Sequence, residues 1–400
     1  MPLGYLATLT PVAVCTMLAL APLRRPRPLA ELGFRLGLAL NELPFVALYW
    51  LLASTILAIA DGDIDSPGGR AMVGFAVVTM AGLAVIARRG LRAGPVLDRA
   101  LAEGLGTDRR TAIDARPATA PRRRLPLARI LFAPFPVGRR DVERVADIGY
   151  GDAGKRNLLD VYRHRSRPSG GPTLVYLHGG GYFSGRKNRE ARPLLYRLAS
   201  RGWVCVSANY RLRPAATFPD HLIDVKKVIA WVREHGHEYG ADPAVLFVAG
   251  SSAGGHLASL AALTPGRPEF QPGFEHADTS VTAAVCLYGW YGDYYGQGPA
   301  SSPLTYLGPD APPFFLAHGD NDTLVPVADA RRFAERLRRA SADPVVYAEL
   351  PGAQHAFDLF HSLRFESVVD AIEDFAAGVG GRAGRGPLGR ETGAMRGDDM

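Results

Sequence analysis

The chain divides into two parts by the spacing of its hydrophobic residues. In the first 90 residues they form three long apolar runs, at positions 3–23, 36–60 and 71–87, and a charged cluster follows each run. From Glu143 onward the apolar runs are short and alternate with amphipathic patterns. Long runs are typical of membrane helices. Short apolar strands that alternate with helices indicate a mostly parallel sheet covered by helices on both faces.

The first part is predicted to be a membrane region, residues 1–90, with two to three transmembrane helices. A spanning helix needs about 20 apolar residues, so the first two runs qualify on length and the third is marginal. Asn41 and Glu42 lie near the start of the second run, which places its apolar core at residues 43–60. Buried helices of a soluble bundle are the alternative interpretation.

The charges between these runs predict an orientation. Arginine clusters follow the first and third runs, and an acidic cluster follows the second. Because cationic residues concentrate on the cytoplasmic side, the N-terminus is expected outside and everything after Arg88 in the cytoplasm. Cys15, Cys205 and Cys286 lie in apolar runs without disulfide or metal-site spacing, which agrees with a reducing compartment. We therefore expect a multi-pass protein of the cell membrane with a cytoplasmic second part.

Positive charge is concentrated in the first 140 residues, which hold 18 arginines and 9 acidic residues. Residues 91–140 carry arginines on both sides of a short apolar stretch. They are predicted to be a basic linker, either on an anionic membrane surface or solvated. No module that combines aromatic and basic residues is present, so nucleic-acid binding is not expected. Residues 380–400 are rich in glycine and arginine without periodicity, which predicts a disordered tail.

Residues 141–379 are predicted to form the catalytic domain. The runs RVADIGY and NLLDVY predict a hairpin. Further strands are predicted at PTLVYLH, WVCVSANY, AVLFVAG, VTAAVCLYG, PPFFLAHG and PVVYAELP, with helical patterns between several of them. In such sheets the functional residues collect at the carboxyl ends of the strands.

The most informative strand end is GSSAGG, residues 250–255, a G-x-S-x-G pattern centred on Ser252. It predicts a sharp strand-to-helix turn that exposes the hydroxyl group, with Gly250 and Gly254 allowing the backbone to pack closely. Taken alone, the pattern also fits an ordinary glycine-rich turn. A serine nucleophile needs a base, so the test is whether an acid and a histidine occupy later strand ends.

Both residue types are found there. Asp320 and Asp322 follow one predicted strand, and His355 follows the next. The order serine, aspartate, histidine is that of the α/β-hydrolase triad. His355 stands out among the ten histidines because it follows a strand and a Pro-Gly turn, downstream of an acid in a matching loop.

The glycine run at 178–181, HGGG, also follows a predicted strand. The negative oxygen of a tetrahedral intermediate needs donors already in place, and glycine N–H groups can approach it because no Cβ intervenes. Gly180 and Gly181, with the amide of Ala253, are the candidate donors. His178 and Gly179 are expected to support this loop. The loop lacks the Lys-Ser/Thr ending of a phosphate-binding loop, so that alternative is rejected.

The motifs HGGGY, GSSAGG, HGDNDTLVP and GAQHAF occur in this order. With them the chain resembles the α/β-hydrolase superfamily, specifically the hormone-sensitive-lipase-like bacterial carboxylesterases, over residues 147–379. Together with the N-terminal helices, it looks like membrane-associated esterases of high-GC Gram-positive bacteria. The resemblance implies Ser252 as nucleophile, Asp322 as acid and His355 as base, without a metal or cofactor. Asp320 is expected to be a turn residue, because Asp322 occupies the D of the pattern H-G-x-x-D-x-x-V-P.

Two departures from the family pattern concern the surroundings of the site. Ser251 stands where many relatives have Asp, and the segment after VTAAVC is short for a cap-bearing region. Aromatic residues in and near these motifs are candidates for the substrate pocket, with core packing as the alternative: Tyr182, Phe183, Trp290 and Tyr291, with Tyr294 and Tyr295 nearby. A short cap favours small or short-acyl esters.

These observations predict a membrane-anchored serine hydrolase that cleaves carboxylic esters, with a small-molecule or lipid ester as substrate. An amidase, deacetylase or peptidase on the same triad is the first alternative, since the oxyanion chemistry is shared. A non-catalytic hydrolase fold that acts as a binding module is the second. It is disfavoured because all three triad residues are present.

Overall fold

The fold begins with a bundle of apolar helices. The structure is a computed structural model that describes residues 3–106 and 125–383, with side chains through residue 380. The bundle consists of four helices, α1 (Leu3–Leu20), α2 (Arg27–Glu42), α3 (Pro44–Ala60) and α4 (Pro67–Leu91). Two continuous helical segments, Leu3–Leu20 and Pro67–Leu105, are long and apolar enough to cross a membrane.

The second apolar run does not form one helix. It divides at Leu43 into α2 and α3, which meet at an angle of 84°. Pro44 explains the break, because proline donates no hydrogen bond and disfavours helical geometry in the residue before it. The predicted apolar core of this run, residues 43–60, corresponds to α3. The run at 71–87, marginal by length, lies within the longest apolar segment, and the run at 36–60 is the interrupted one.

The outer surface of this bundle is apolar. Large hydrophobic side chains are exposed along all three of its most apolar helices, among them Met17 on α1, Trp50, Ile56 and Leu57 on α3, and Val78 on α4. Large contiguous apolar surfaces are uncommon on soluble monomers, so this surface differs from that of the soluble bundle considered as the alternative.

The second part is an eight-stranded sheet in the order β1-β2-β4-β3-β5-β6-β7-β8. Its strands are β1 (Val142–Gly149), β2 (Leu158–His164), β3 (Gly171–Leu177), β4 (Val204–Ala208), β5 (Ala241–Ser251), β6 (Ala283–Leu287), β7 (Phe314–Gly319) and β8 (Val345–Leu350). β1 and β2 form the predicted antiparallel hairpin, and β3 to β8 are parallel. The predicted fold class, a mostly parallel α/β-hydrolase sheet after an N-terminal helical region, is confirmed.

Helices cover both faces of the sheet, which explains why its central parallel strands β3, β4, β6 and β7 are mostly apolar. Val175 and Val206 contribute to a core beneath α8 (Asp220–His235), α9 (Ala253–Leu263) and α10 (Val327–Ala340). Their neighbours Leu174 and Cys205 face the opposite core, beneath α7 (Arg192–Ala199) and α11 (Leu363–Ala383).

Part of the segment predicted as a basic linker belongs to this second core. Helix α5 (Ala93–Leu105) buries Leu97, Leu101 and Leu105 in the same cluster as Val346 of β8. A short helix, α6 (Leu127–Phe132), follows later in the segment. The arginines at 122–124 lie outside the described residues, as does most of the predicted tail. The compact catalytic unit therefore begins earlier in the chain than residue 141.

Candidate active site

Ser252 lies in the sharp turn between β5 and α9. Its φ is +55° and its ψ is −118°, a conformation that side chains rarely adopt and that is typical of strained functional positions. The flanking glycines make this turn possible. A Cβ on Gly250 would lie 2.2 Å from the Gly254 carbonyl oxygen, and one on Gly254 would lie 2.1 Å from that of Leu177.

Three side chains from separate strand ends meet at this turn. His355 Nε2 lies 2.9 Å from Ser252 Oγ, and His355 Nδ1 lies 2.7 Å from Asp322 Oδ2. His355 lies in the loop after β8 and Asp322 in the loop after β7. The three residues named from the motifs are thus brought together in one hydrogen-bonded chain.

The Asp322 carboxylate is held in its ionised form. Burial by itself opposes ionisation, but the His355 and His318 imidazoles outweigh it and hold the pKa of Asp322 well below its usual value. Its Oδ1 also accepts hydrogen bonds from the N–H groups of Leu324 (2.9 Å) and Val325 (2.8 Å). Asp320 points elsewhere and accepts a hydrogen bond from the Gly352 N–H at 2.6 Å, as a turn residue does.

The glycine run forms a loop beside Ser252. Gly180 and Gly181 have φ values of +109° and +60°, and a Cβ on Gly180 would lie 2.2 Å from the Ser184 carbonyl oxygen. Within the described residues, the N–H groups of Gly180, Gly181 and Ala253 donate to no protein acceptor. Three free backbone donors therefore flank the serine, which is the arrangement that stabilises a developing oxyanion.

Buried side chains support this loop. His178 is fully buried, stacks on Tyr210 at 4.4 Å and lies with Nδ1 2.7 Å from the Gly179 carbonyl oxygen. Burial lowers the pKa of His178 to about 4, so it is neutral and suited to a structural role. The Gly179 N–H donates to Glu190, a residue that the motifs did not point to. Burial, with Asp358 nearby, raises the pKa of Glu190 to about 7.

Ser251 takes part in a second buried network beneath the site. Its hydroxyl donates to Asp358 Oδ2 at 2.6 Å, and Tyr176 donates to Ser251 Oγ at 2.8 Å. Tyr288 donates to the other Asp358 oxygen, and its ring lies 4.5 Å from the His355 ring. Asp358 thus brings a carboxylate to the position next to Ser251, where many relatives carry Asp in the sequence. No motif in the sequence pointed to Asp358, because its role depends on hydroxyl groups that the fold brings together.

A cavity of about 520 Å³ opens at Ser252. Of the candidate pocket residues, Tyr182 and Trp290 line it, as do Tyr294 and Tyr295. Phe183 is 56% exposed and lies outside the lining. Tyr291 also differs from its predicted place, because it is buried in the core and stacks on Phe333 at 4.2 Å.

The N-terminal helical bundle supplies one wall of this cavity, which the motifs did not indicate. Arg24, Arg27 and Ala30 line it from the start of α2 and the turn before it. The Ala30 carbonyl accepts a hydrogen bond from Thr323 Oγ1 at 3.3 Å, and the Phe34 ring lies edge-on to the His355 ring at 6.1 Å. Helix α2 therefore covers the cavity together with the short segment after β6.

The arrangement suits nucleophilic chemistry at a carbonyl group, since a serine, a base with a fixed orientation and free donors converge on one cavity. Across residues 3–106 and 125–383, no group of three or more His, Cys, Asp or Glu side chains could hold a metal ion.

Comparisons with known proteins agree on one class of enzyme, the carboxylic ester hydrolases. The BD-FAE family model matches residues 159–293. The chain is 40% identical to a Mycobacterium tuberculosis protein named "Probable carboxylic ester hydrolase LipM", over 92% of this chain and 93% of that protein. It is 40% identical to Esterase LipQ of the same organism, over 73% and 76% of the two chains. Among solved structures, a thermophilic esterase of Thermogutta terrifontis is 26% identical with a TM-score of 0.53, covering 60% of this chain and 93% of that one.

Proposed function

Since this chain belongs to the α/β-hydrolase carboxylesterases and is a carboxylic ester hydrolase, we propose that Ser252 is its nucleophile, His355 its general base and Asp322 the acid that orients the base. The observation that carries this assignment is the hydrogen-bonded chain from Ser252 Oγ through His355 to Asp322 Oδ2. The strained backbone of Ser252 supports it, because such strain is retained where function requires it.

The reaction follows from this geometry. Ser252 Oγ attacks the ester carbonyl carbon while His355 Nε2 takes its proton, and the carbonyl oxygen becomes an oxyanion that accepts from Gly180, Gly181 and Ala253. The intermediate collapses, the C–O bond to the alcohol breaks, and the alcohol leaves with the proton from His355. A water molecule, deprotonated by His355, then attacks the carbonyl carbon of the acyl-enzyme. The carboxylic acid leaves and the serine hydroxyl is restored.

Hydrolysis of p-nitrophenyl esters by the detergent-solubilised full chain tests the nucleophile. We expect Ser252→Ala to lower kcat/KM by about 10³-fold or more, because removal of a triad serine leaves only binding and oxyanion stabilisation. The exposed Ser169→Ala is the matched control and should retain wild-type turnover. A fluorophosphonate probe should label wild type and not Ser252→Ala. Full turnover by Ser252→Ala would refute the assignment, and labelling without ester turnover would point to amide substrates.

We propose further that α1, α3 and α4 anchor the enzyme in the membrane. The end of α1, the start of α3 and the end of α4 all lie beside the catalytic domain. Arg24 donates to the Asp320 carbonyl at 3.0 Å, Glu42 pairs with Arg364, and Arg89 packs against Gly352. Three crossings leave the catalytic domain on the side opposite the N-terminus. The arginine clusters on that side favour the cytoplasm.

Fusion of reporters to the C-terminus tests this orientation. We expect a green fluorescent protein fusion to fluoresce in the membrane fraction and an alkaline phosphatase fusion to be inactive, because the phosphatase requires an oxidising compartment. The same fusions placed within the α3–α4 loop, at Asp63, should give the reverse result. Active phosphatase at the C-terminus would overturn the orientation, and release of the protein by carbonate washing would overturn the anchoring.

A further inference from the structure

Helix α2 has an unusual position between two apolar helices. It meets α3 at 84°, so when α3 crosses a bilayer, α2 lies nearly parallel to the membrane surface. Two glycines on one side of α2 pack against α1. A Cβ on Gly37 would lie 3.4 Å from the Ala19 backbone nitrogen, and one on Gly33 would lie 3.7 Å from Leu18. This packing fixes the rotation of α2 about its own axis.

The rotation directs an apolar stripe away from the protein. Leu29, Leu32 and Leu36 are spaced three and four residues apart, as on one face of a helix, and they are 43%, 51% and 41% exposed. Arginines flank the stripe at positions 24, 25, 27 and 35. Exposed leucines bordered by arginines are typical of helices that lie in the membrane interface, where the cationic groups reach the lipid headgroups.

The opposite face of the same helix covers the active site. Ala30 and Phe34 lie about half a turn round the helix from Leu32, since each residue advances the helix by roughly 100°. Ala30 lines the cavity and Phe34 contacts His355. Helix α2 is thus a wall one helix thick, with the cavity on one side and a leucine face on the other.

We infer that this enzyme takes a membrane-resident ester, a lipid or lipid-like amphiphile, which passes from the bilayer surface into the cavity at the N-terminal end of α2. The inference rests on the proposed function and names the substrate class of that same site. Arg24 and Arg27 line this end of the cavity and Asp293 lies with them in the lining. Tyr182, Trp290 and Tyr294 provide the aromatic surface that an acyl or aryl group contacts further in.

The test compares two esters that release the same leaving group, p-nitrophenol, one dissolved in the bilayer and the other in water. Wild-type full chain in phosphatidylcholine–phosphatidylglycerol vesicles is given p-nitrophenyl palmitate within the bilayer or p-nitrophenyl acetate in the water. The variant carries Leu29→Asn, Leu32→Asn and Leu36→Asn. The control carries Ala39→Asn, which is also exposed on α2 but leaves the leucines and the arginines intact. We expect the leucine variant to hydrolyse the palmitate ester at least tenfold more slowly than wild type and the acetate ester less than twofold more slowly. The control should hydrolyse both esters at the wild-type rate.

Other outcomes overturn the inference in distinguishable ways. Equal losses on both esters would mean that the leucines only stabilise the fold, and no loss on either would mean that they do not meet the bilayer. Turnover of acetate but not of palmitate by wild type would refute the membrane-resident substrate and leave the proposed function intact. Turnover of neither ester by wild type, or of both by Ser252→Ala, would remove the proposed function itself.

A spectroscopic measurement tests the position of α2 without reference to activity. A nitroxide is attached to Leu32→Cys in a Cys15→Ser background, where the remaining Cys205 and Cys286 are buried. Its relaxation should respond more to oxygen, which concentrates in lipid, than to a water-soluble nickel complex. The same label at the exposed Asp310→Cys should show the opposite preference. A water-like response at position 32 would overturn the inference.

Discussion

At the scale of single residues, two aspartates in one loop have opposite environments. Asp322 faces two imidazoles, and its pKa lies below the usual value despite burial. Asp320 is only two residues away, yet burial raises its pKa, and the backbone N–H of Gly352 offsets this only in part. The loop therefore keeps one carboxylate charged beside His355 and uses the other to shape the turn.

This contrast predicts different effects of the same substitution. We expect Asp322→Asn to lower kcat by about 10³- to 10⁴-fold, because an amide leaves His355 in the wrong tautomer to accept the serine proton. Asp320→Asn keeps an acceptor for Gly352 and should remain within a few-fold of wild type. Steady-state kinetics on p-nitrophenyl butyrate measures both, with melting temperature as a check on folding. Similar losses in the two variants would contradict the assignment of Asp322.

The role of a residue could be predicted from the sequence where a chemically suitable side chain directly follows a predicted strand. Ser252, Asp322 and His355 each follow a strand, and the ends of parallel strands meet at one edge of the sheet. Asp358 and Glu190 could not be assigned in this way. Their roles depend on hydroxyl and N–H donors from Tyr176, Tyr288 and Gly179, which only the folded sheet brings together. Trp290 and Tyr291 are adjacent in sequence, yet Trp290 lines the cavity and Tyr291 packs in the core, and only the direction of the backbone separates them.

At the scale of elements, the turn from β5 to α9 depends on close backbone contact. Gly254 lies against the carbonyl oxygens of Leu177 and His178 at the end of β3, so this turn also fixes the distance between Ser252 and the glycine loop. A side chain at this position would have to displace backbone and not merely another side chain.

We therefore expect Gly254→Ala to destabilise the protein by about 3 kcal/mol and to abolish ester turnover, because the new Cβ cannot be accommodated without moving a strand. Gly308→Ala is the matched control, since no atom lies within 4 Å of its Cβ position. It should change the stability by less than about 0.5 kcal/mol. Thermal unfolding in detergent measures both variants. Wild-type stability and activity in Gly254→Ala would contradict this account of the turn.

Two segments of the N-terminal part differ from their simplest sequence pattern, for different reasons. The run at 36–60 is apolar throughout most of its length, yet Pro44 divides it, and the proline was a local signal in the sequence. Helix α5 was less accessible to prediction. Its leucines at 97, 101 and 105 have helical spacing, but only tertiary packing against Val346 shows that the helix belongs to the core.

At the scale of the whole molecule, a buried ion pair joins the two parts of the chain. Glu42 at the end of α2 pairs with Arg364 in the first turn of α11, and both side chains are almost fully buried. Ser362 donates to the second Glu42 oxygen at 2.7 Å, and Arg364 also donates to the Pro351 carbonyl at 3.3 Å. The pair holds the junction of α2 and α3 on the segment that follows the His355 loop.

Removal of one partner should be costly, because it leaves the other charge buried and unpaired. We expect Arg364→Met to lower the free energy of unfolding by about 3 to 5 kcal/mol. Arg339→Met breaks an exposed pair with Glu335 and should have almost no effect. Melting temperatures in detergent compare the two. A wild-type melting temperature in Arg364→Met would show that the junction does not depend on this pair.

The position of α5 has a consequence for how such a protein can be inherited. The chain passes from the N-terminal bundle into α5, which covers β8, and the earlier α2 covers His355. The catalytic part is thus completed by elements that precede it in the chain, so the division in space does not follow the order along the gene. Recombination of either region with a partner from another protein would uncover β8 or His355, so we expect such chimaeras to fold or function poorly. We therefore expect the two regions to be inherited together, as one unit of evolution.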